Sequence, residues 1–186
     1  FRADSTGSYG AIQIGGEDAI RFGSDNSGQL ASFRNKLING NFGIAQRGTS
    51  QTSSGYASVD RWYNFHIGST KTTQQGNNIL STALPDYPVN YLRTTVTSVA
   101  GAGNCVRAFQ PIESVRTLAG KIATFSFWAK ADSAKNIAIE LYQSFGASGS
   151  AAVLGIGAQL IPLTTSWQKF SRTIQIPSIA DKTIGN

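Results

Sequence analysis

This chain of 186 residues is poor in what reactive and charged proteins use most: no methionine, one cysteine, one histidine, and charged residues at only 14% of the total. Each shortage excludes something. The lone Cys105 can form no disulfide within the chain and has no metal-ligand companion, so the fold must stand on packing or assembly, and Cys105 is read as a small buried residue. With His66 the only histidine, and with no G-x-S-x-G elbow, a triad of the Ser-His-Asp kind has no visible parts. Clusters of Cys and His at metal-binding spacing are absent, as is a glycine loop leading into a helix to cradle phosphate. The longest apolar run falls far short of the roughly 20 residues of a membrane helix, and nothing resembles a signal peptide.

Paired carboxylates are scarce too. Of ten acidic residues, most fall in turns, among them Asp4, Glu17, Asp18, Asp25, Asp86, Asp132 and Asp181, leaving Asp60, Glu113 and Glu140 in structured surroundings. Hydrolysis of a glycosidic bond needs two carboxyl groups at a set separation with divergent acidities, and no such pair stands out. Asp60 beside Arg61 reads as an ion-paired strand start. The net charge of +6 would suit a polyanion if the basic residues were clustered, but they are scattered and not interleaved with aromatics, so a nucleic-acid footprint is missing.

What is present is turn and strand chemistry. Gly, Ser and Thr are abundant, and 40% hydrophobic content suffices for one core. Residues 1–34 carry two short alternating pieces, Tyr9 to Ile14 and Ala19 to Phe22, separated by Gly15-Gly16 and followed by the turn signal Ser24 to Gly28. They predict a hairpin stem too small to stand alone, to be covered by the following domain or by copies from other chains. From Asn35 to Asn186 the pattern is that of a second domain. Lys36 to Phe42 is expected to form a short strand and Gly43 to Gly55 a loop. Asp60 to Ile67 is expected to be a strand with Trp62 and Phe65 as bulky packing candidates, and Ser69 to Asn78 an exposed turn region.

Tyr91 to Thr97 alternates as a half-buried strand, with Leu92, Thr94 and Val96 opposite Tyr91, Arg93 and Thr95. Asn104 to Gln110 is a further strand, and Ile112 to Leu118 is ambiguous with one helical turn. Lys121 to Lys130 sets Ala123, Phe125, Phe127 and Ala129 against Thr124, Ser126, Trp128 and Lys130. Ile137, Ile139 and Leu141 form the next inward row, Phe145 to Gly157 reads as flexible, and Trp167 to Ile176 closes the series with Phe170, Ile174 and Ile176 inward. Seven or eight short strands with turns between them predict an all-β chain: a β-hairpin stem followed by a β-sandwich of jelly-roll kind. Beginning at Phe1 and stopping just after a strand, the chain is expected to be a piece of a longer polypeptide.

The succession NKLINGNFGIAQRG, SVDRW, LAGKIATFSFWAKA, IAIELY and TTSWQKFSRTIQIP resembles the carbohydrate-binding-module jelly rolls of bacteriophage tail fibres and tail-tip proteins, and AIRFGSDNSGQLASF resembles their fibre stem. The resemblance covers nearly the whole chain. It implies a homotrimeric virion component of the phage tail, in contact with other tail proteins, that attaches to a bacterial surface glycan; with no carboxylate pair standing out, the chain is not expected to be an enzyme. Where such modules often place acidic residues around a structural calcium, this chain has Asn41 and Gly43, which supply no carboxylate and leave only backbone carbonyls for an ion. No cofactor is implied.

A glycan site needs aromatic faces for the apolar side of a sugar and polar groups for its hydroxyls. Trp128, Tyr142 and Glu140 meet this on the face opposite the inferred core, provided their strands are neighbours, and Tyr91 with Arg93 could extend it. The structural alternative is that Trp128 packs under a loop or against another subunit. Trp62 and Trp167 are assigned to the core or its edge. Two other functions stay open: a structural tail adaptor whose aromatics are consumed by protein contacts, and a binding module of a longer glycan-degrading tailspike.

Overall fold

A computed structural model describes residues 35–77 and 90–186, together with the strand backbone at Arg2–Ala3, Tyr9–Ile14 and Glu17–Gly23. Every described element of regular structure is a β-strand, and every strand pair is antiparallel. The chain divides into two compact units, Phe1–Gly40 and Asn41–Asn186.

In the first unit, β1 (Arg2–Ala3), β2 (Tyr9–Ile14) and β3 (Glu17–Gly23) form a sheet in that order, with Ile12 opposite Ile20. The hairpin legible in the sequence is therefore present as a backbone ladder. Its turn residues Gly15-Gly16, the turn at Ser24 to Gly28 and the apolar side chains of Ile12, Ile14, Ile20 and Phe22 lie outside the described residues.

The second unit contains β4 (Ser50–Gln51), β5 (Tyr63–Ile67), β6 (Thr70–Asn77), β7 (Asn90–Thr97), β8 (Cys105–Phe109), β9 (Ile122–Ala129), β10 (Lys135–Gln143), β11 (Val153–Leu163) and β12 (Gln168–Gln175). Its ladders are β4-β6-β7, β5-β8, β9-β12 and β10-β11. The ladder of β9 and β12 runs without irregularity from Ala129 opposite Gln168 to Ile122 opposite Gln175. Period-two alternation then sets Ala123, Phe125 and Phe127 on one face with Ile174, Arg172 and Phe170, as the sequence pattern requires. Ile156 of β11 packs with Ile174 and Ile176, joined by Leu118, Ala123, Leu141 and Val153. Sheets meeting through inward aliphatic rows give the sandwich-like, all-β architecture, and each fully buried Ile contributes about 2–3 kcal/mol.

The other part of this unit is packed differently. Gln51, Ser58, Asn64, Ser69, Lys71 and Thr73 are all buried, with Asn64 and Thr73 wholly inaccessible. Gln51 is the hub. Its Oε1 accepts from Ser58 Oγ at 2.6 Å, Asn64 Nδ2 at 3.1 Å and the Ala57 N–H at 3.2 Å, while its Nε2 donates to Ser53 O at 2.9 Å and Gly55 O at 3.1 Å. Lys71 Nζ donates to Ser53 O at 3.1 Å, and burial pushes its pKa below the ordinary value. Two oxygens in this cluster, Asn64 Oδ1 and Thr73 Oγ1, have no partner.

Several expectations change here. Ser69 to Asn78 is not an exposed turn: it contains β6, whose Lys71 and Thr73 are buried. Hydrophobic periodicity cannot reveal such a strand, because its inward side chains are polar. Lys36 to Phe42 forms no strand, since positive φ at Asn39 (55°) and Phe42 (57°) breaks extended backbone. Phe42 is instead anchored by its ring, 5.2 Å from Trp62, and by its carbonyl, which accepts from Gln75 Nε2 at 2.6 Å. β7 ends its sheet, and residues 93–97 are exposed on both faces, Val96 at 46%, so its alternation does not make it half-buried along its length.

Ile112 to Leu118 is a turn, with Thr117 N–H bonded to Ser114 O, and no helical turn forms. Phe145 to Gly157 is better tied than its composition suggests: Phe145 is 2% exposed, and backbone bonds join 145–150 to Thr183, Gly185 and Asn186. Arg61 reaches Glu113 at 2.9 Å, and Asp60 Oδ1 accepts the Gln46 N–H at 3.1 Å. Cys105 is half-buried rather than buried.

Candidate functional site

The register of β5 on β8 places Tyr63 directly opposite Phe109 and Phe65 opposite Arg107. These side chains share the face away from Asn64, which points into the polar cluster. An isolated bridge between Gly55 and Asn64 brings the preceding loop alongside β5, so Tyr56 reaches the Tyr63 ring edge-on at 4.9 Å. Tyr63 and Phe109 lie 5.0 Å apart, and Tyr142 of β10 meets Phe109 edge-on at 6.3 Å. The result is a continuous row of four rings, Tyr56, Tyr63, Phe109 and Tyr142, whose two end members are 39% and 47% exposed.

Polar groups accompany the row. The Arg107 guanidinium lies 5.0 Å over the Phe65 ring, and Glu140 occupies the same face of β10 as Tyr142. The hydroxyls of Tyr56, Tyr63 and Tyr142 take no protein partner within the described residues. Ring faces and edges for C–H surfaces, with phenols, a guanidinium and a carboxylate for hydroxyls, make up the chemistry that binds saccharides.

The five residues singled out in the sequence are thus separated. Tyr142 and Glu140 stand together on β10 as expected. Trp128 is half-buried on the outer face of the β9–β12 pair, opposite Lys169 and in line with the exposed Ile122, Thr124 and Ser126. No ladder joins β9 to β10, because β9 pairs with β12 and β10 with β11, so Trp128 and Tyr142 belong to different sheets. Tyr91 lies flat across Gly76, where any side chain would collide with its ring, and meets Trp167 edge-on at 6.1 Å, with Lys130 Nζ 5.5 Å over that indole. Tyr91 is therefore engaged in packing, whereas Arg93 is exposed opposite Gln74.

Sequence reasoning missed Tyr56, Tyr63, Phe109 and Arg107. The alternation of Tyr63 with Phe65, and of Arg107 with Phe109, carried the facing information. Which strand each would pair with was not visible.

Several groups that could act as acids or nucleophiles are occupied by local partners. Asp132 is bonded to Lys135, which holds its carboxyl below the usual range, and Glu113 is paired with Arg61. Ser54 Oγ lies 3.4 Å from His66 Nδ1 but accepts the His66 backbone N–H, which fits a local tie between loop and strand. Among the described residues no group of three or more His, Cys, Asp or Glu side chains could hold a metal ion, and no helix is long and apolar enough to cross a membrane. Comparison with family models, with curated proteins and with solved structures found no match to this chain.

Proposed function

We propose that this chain is a non-catalytic component of a phage tail fibre, a β-stem followed by a carbohydrate-binding-like jelly roll, which assembles as a homotrimer in the virion and contributes to attachment at a bacterial surface glycan. The observation that carries this is the row Tyr56, Tyr63, Phe109 and Tyr142, half open to solvent and flanked by Arg107 and Glu140. The order of motifs from NGNF to SWQKF supports the same reading by resemblance. Affinity rests on avidity: three modest sites on one stem engage a repetitive surface far more strongly than one.

The test is binding of the purified chain to host surface polysaccharide. Tyr56→Ala and Tyr142→Ala are each expected to weaken it by about tenfold, the worth of one well-placed ring, while Trp128→Ala leaves it unchanged. A Trp128→Ala loss larger than that of Tyr142→Ala moves the site to the β9–β12 face. Equal binding of cells by monomer and trimer overturns the avidity argument.

A second reading, a structural adaptor that orders other tail parts, is favoured by Leu154, Leu160 and Ile122, which are 71%, 63% and 70% exposed. Side chains of this kind are what protein contacts consume. Imaging of intact particles separates the two: the aromatic row open at a distal tip supports attachment, and the row covered within a collar or baseplate supports the adaptor.

A further inference from the structure

Where β11 passes β12, an open, shallow cleft of about 450 Å3 is lined among others by Gly157, Gln159, Arg172, Thr173, Ile174 and Gln175. Arg172 and Ile174 share one face of β12, whereas Thr173 projects to the other face, where it meets Thr124. Gly157, with φ at 64°, packs directly on Ile174: a Cβ there would come within 2.8 Å of it, so only glycine lets β11 approach this closely.

Arg172 is the charged group in this cleft, and its bonding is asymmetric. Nε donates to Gln159 Oε1, and Nη1 donates to Ser171 O at 2.7 Å. These two bonds fix the plane of the guanidinium by its Nε side. They leave one Nη1 hydrogen and both Nη2 hydrogens, the end that forks onto two oxygens of one anion. Among the described residues no carboxylate pairs with Arg172. Gln175 turns its Nε2 to Gly120 O and Ile176 O, leaving its Oε1 as an acceptor, and Thr173 bonds Thr124 across the ladder at 3.0 Å. A pre-oriented guanidinium without a counter-charge, at an open cleft, on a chain of net charge +6, suits a negatively charged ligand group.

We infer that the β11–β12 cleft is a second subsite, in which Arg172 binds an oxyanion of the glycan: the carboxylate of an acidic sugar or the phosphodiester of a phosphate-linked polymer. This rests on the attachment reading above and specifies its ligand class as anionic polysaccharide. The neutral part of the ligand meets the aromatic row, and the charged part meets Arg172.

The experiment measures affinity of the intact chain for three probes at low and high salt: polygalacturonate, a poly(glycerol phosphate) and neutral dextran. At low salt the anionic probes are expected to bind at least about tenfold more tightly than dextran, as two charge-assisted hydrogen bonds warrant. Arg172→Gln removes that preference, and Arg172→Lys restores it only in part, because a point charge lacks the fork. Arg116→Gln, a charge-matched change at an exposed loop, keeps it. Melting curves confirm that each variant is folded.

Binding of polygalacturonate alone identifies a carboxylate, binding of poly(glycerol phosphate) alone identifies a phosphodiester, and either supports the inference. Equal loss in Arg116→Gln and Arg172→Gln reduces the effect to bulk charge and overturns it. Equal binding of all three probes, lost in Tyr142→Ala and kept in Arg172→Gln, overturns the inference and leaves glycan attachment standing. Anionic binding that depends on Arg172 but not on Tyr56 or Tyr142 does the reverse, keeping the subsite and removing the aromatic row.

Discussion

The part of the sandwich built from β4 to β8 and the part built from β9 to β12 solve the same packing problem with opposite chemistry. Around β9 to β12 the most buried positions are mainly branched aliphatics, Ile156, Ile161, Leu163, Ile174 and Ile176, with Gln143 the polar exception. Around β4 and β6 the inward positions are Gln51, Lys71 and Thr73, and Gln51 accepts from Asn64 of β5. Aliphatic contact is non-directional and tolerates small shifts, whereas the amide network holds only while each donor keeps its acceptor. The difference shows that a strand with scarcely an apolar residue, such as Thr70–Asn77, can be interior when it pairs with a strand that carries a buried polar hub, here Gln51 opposite Thr73.

The contrast can be broken from the polar side first. Gln51→Leu removes the hub and strands Ser58, Asn64 and the Ala57 N–H together, so urea denaturation is expected to show a loss of about 3–5 kcal/mol. Ile174→Ala, which opens a cavity among Ile156 and Ile176, is expected to cost about 2–4 kcal/mol. A larger loss in Ile174→Ala than in Gln51→Leu would reverse the ranking and make the network an accessory to aliphatic packing.

Lys71→Met sharpens the comparison through pH. Burial lowers the Lys71 pKa in the folded chain, so the unfolded chain holds the proton more tightly and the penalty is fully present below the folded-state pKa. It is relieved as pH rises through that value toward 10.5. Stability of the parent chain should therefore climb with pH in that window, and Lys71→Met should flatten the climb and gain about 1 kcal/mol at neutral pH. Ser53 O keeps its bond from Gln51, so the change leaves no carbonyl stranded. A destabilised Lys71→Met would mean that the ammonium is better solvated than its burial implies. The smallest effect on stability is expected at the surface: Tyr142→Ala should cost about 1 kcal/mol or less, the worth of its edge contact with Phe109, whatever it does to ligand binding.

The same contrast explains what could be read from the residues in advance. Around β9, β10 and β12 alternation was legible, because Ala123, Phe125, Phe127, Ile137, Ile139, Leu141, Ile174 and Ile176 mark the inward face by hydrophobicity alone. In the polar part that mark is missing: Lys71 and Thr73 look solvated until Gln51 and Ser53, some twenty residues earlier, are placed beside them. The candidate site suffered from a different gap. Tyr142 and Glu140 followed from the parity of one strand, but Trp128 was joined to them by assuming that consecutive strands pair. The row through Phe109 and Tyr63 depends on the β5–β8 ladder, between strands separated in sequence by two others.

The unbroken ladder of β9 and β12 also bears on mechanics. The chain enters β9 at Ile122 and leaves β12 at Gln175, which are opposite each other at the same end of the ladder. Tension between those two points therefore peels the pair bond by bond and does not shear all its bonds at once. Beyond Gln175, the bonds from Thr183, Gly185 and Asn186 to 145–150 form a clasp that a pull on the last residues must strip first. Against a force applied there, the clasp acts as a fuse, yielding before the aliphatic part of the sandwich is loaded.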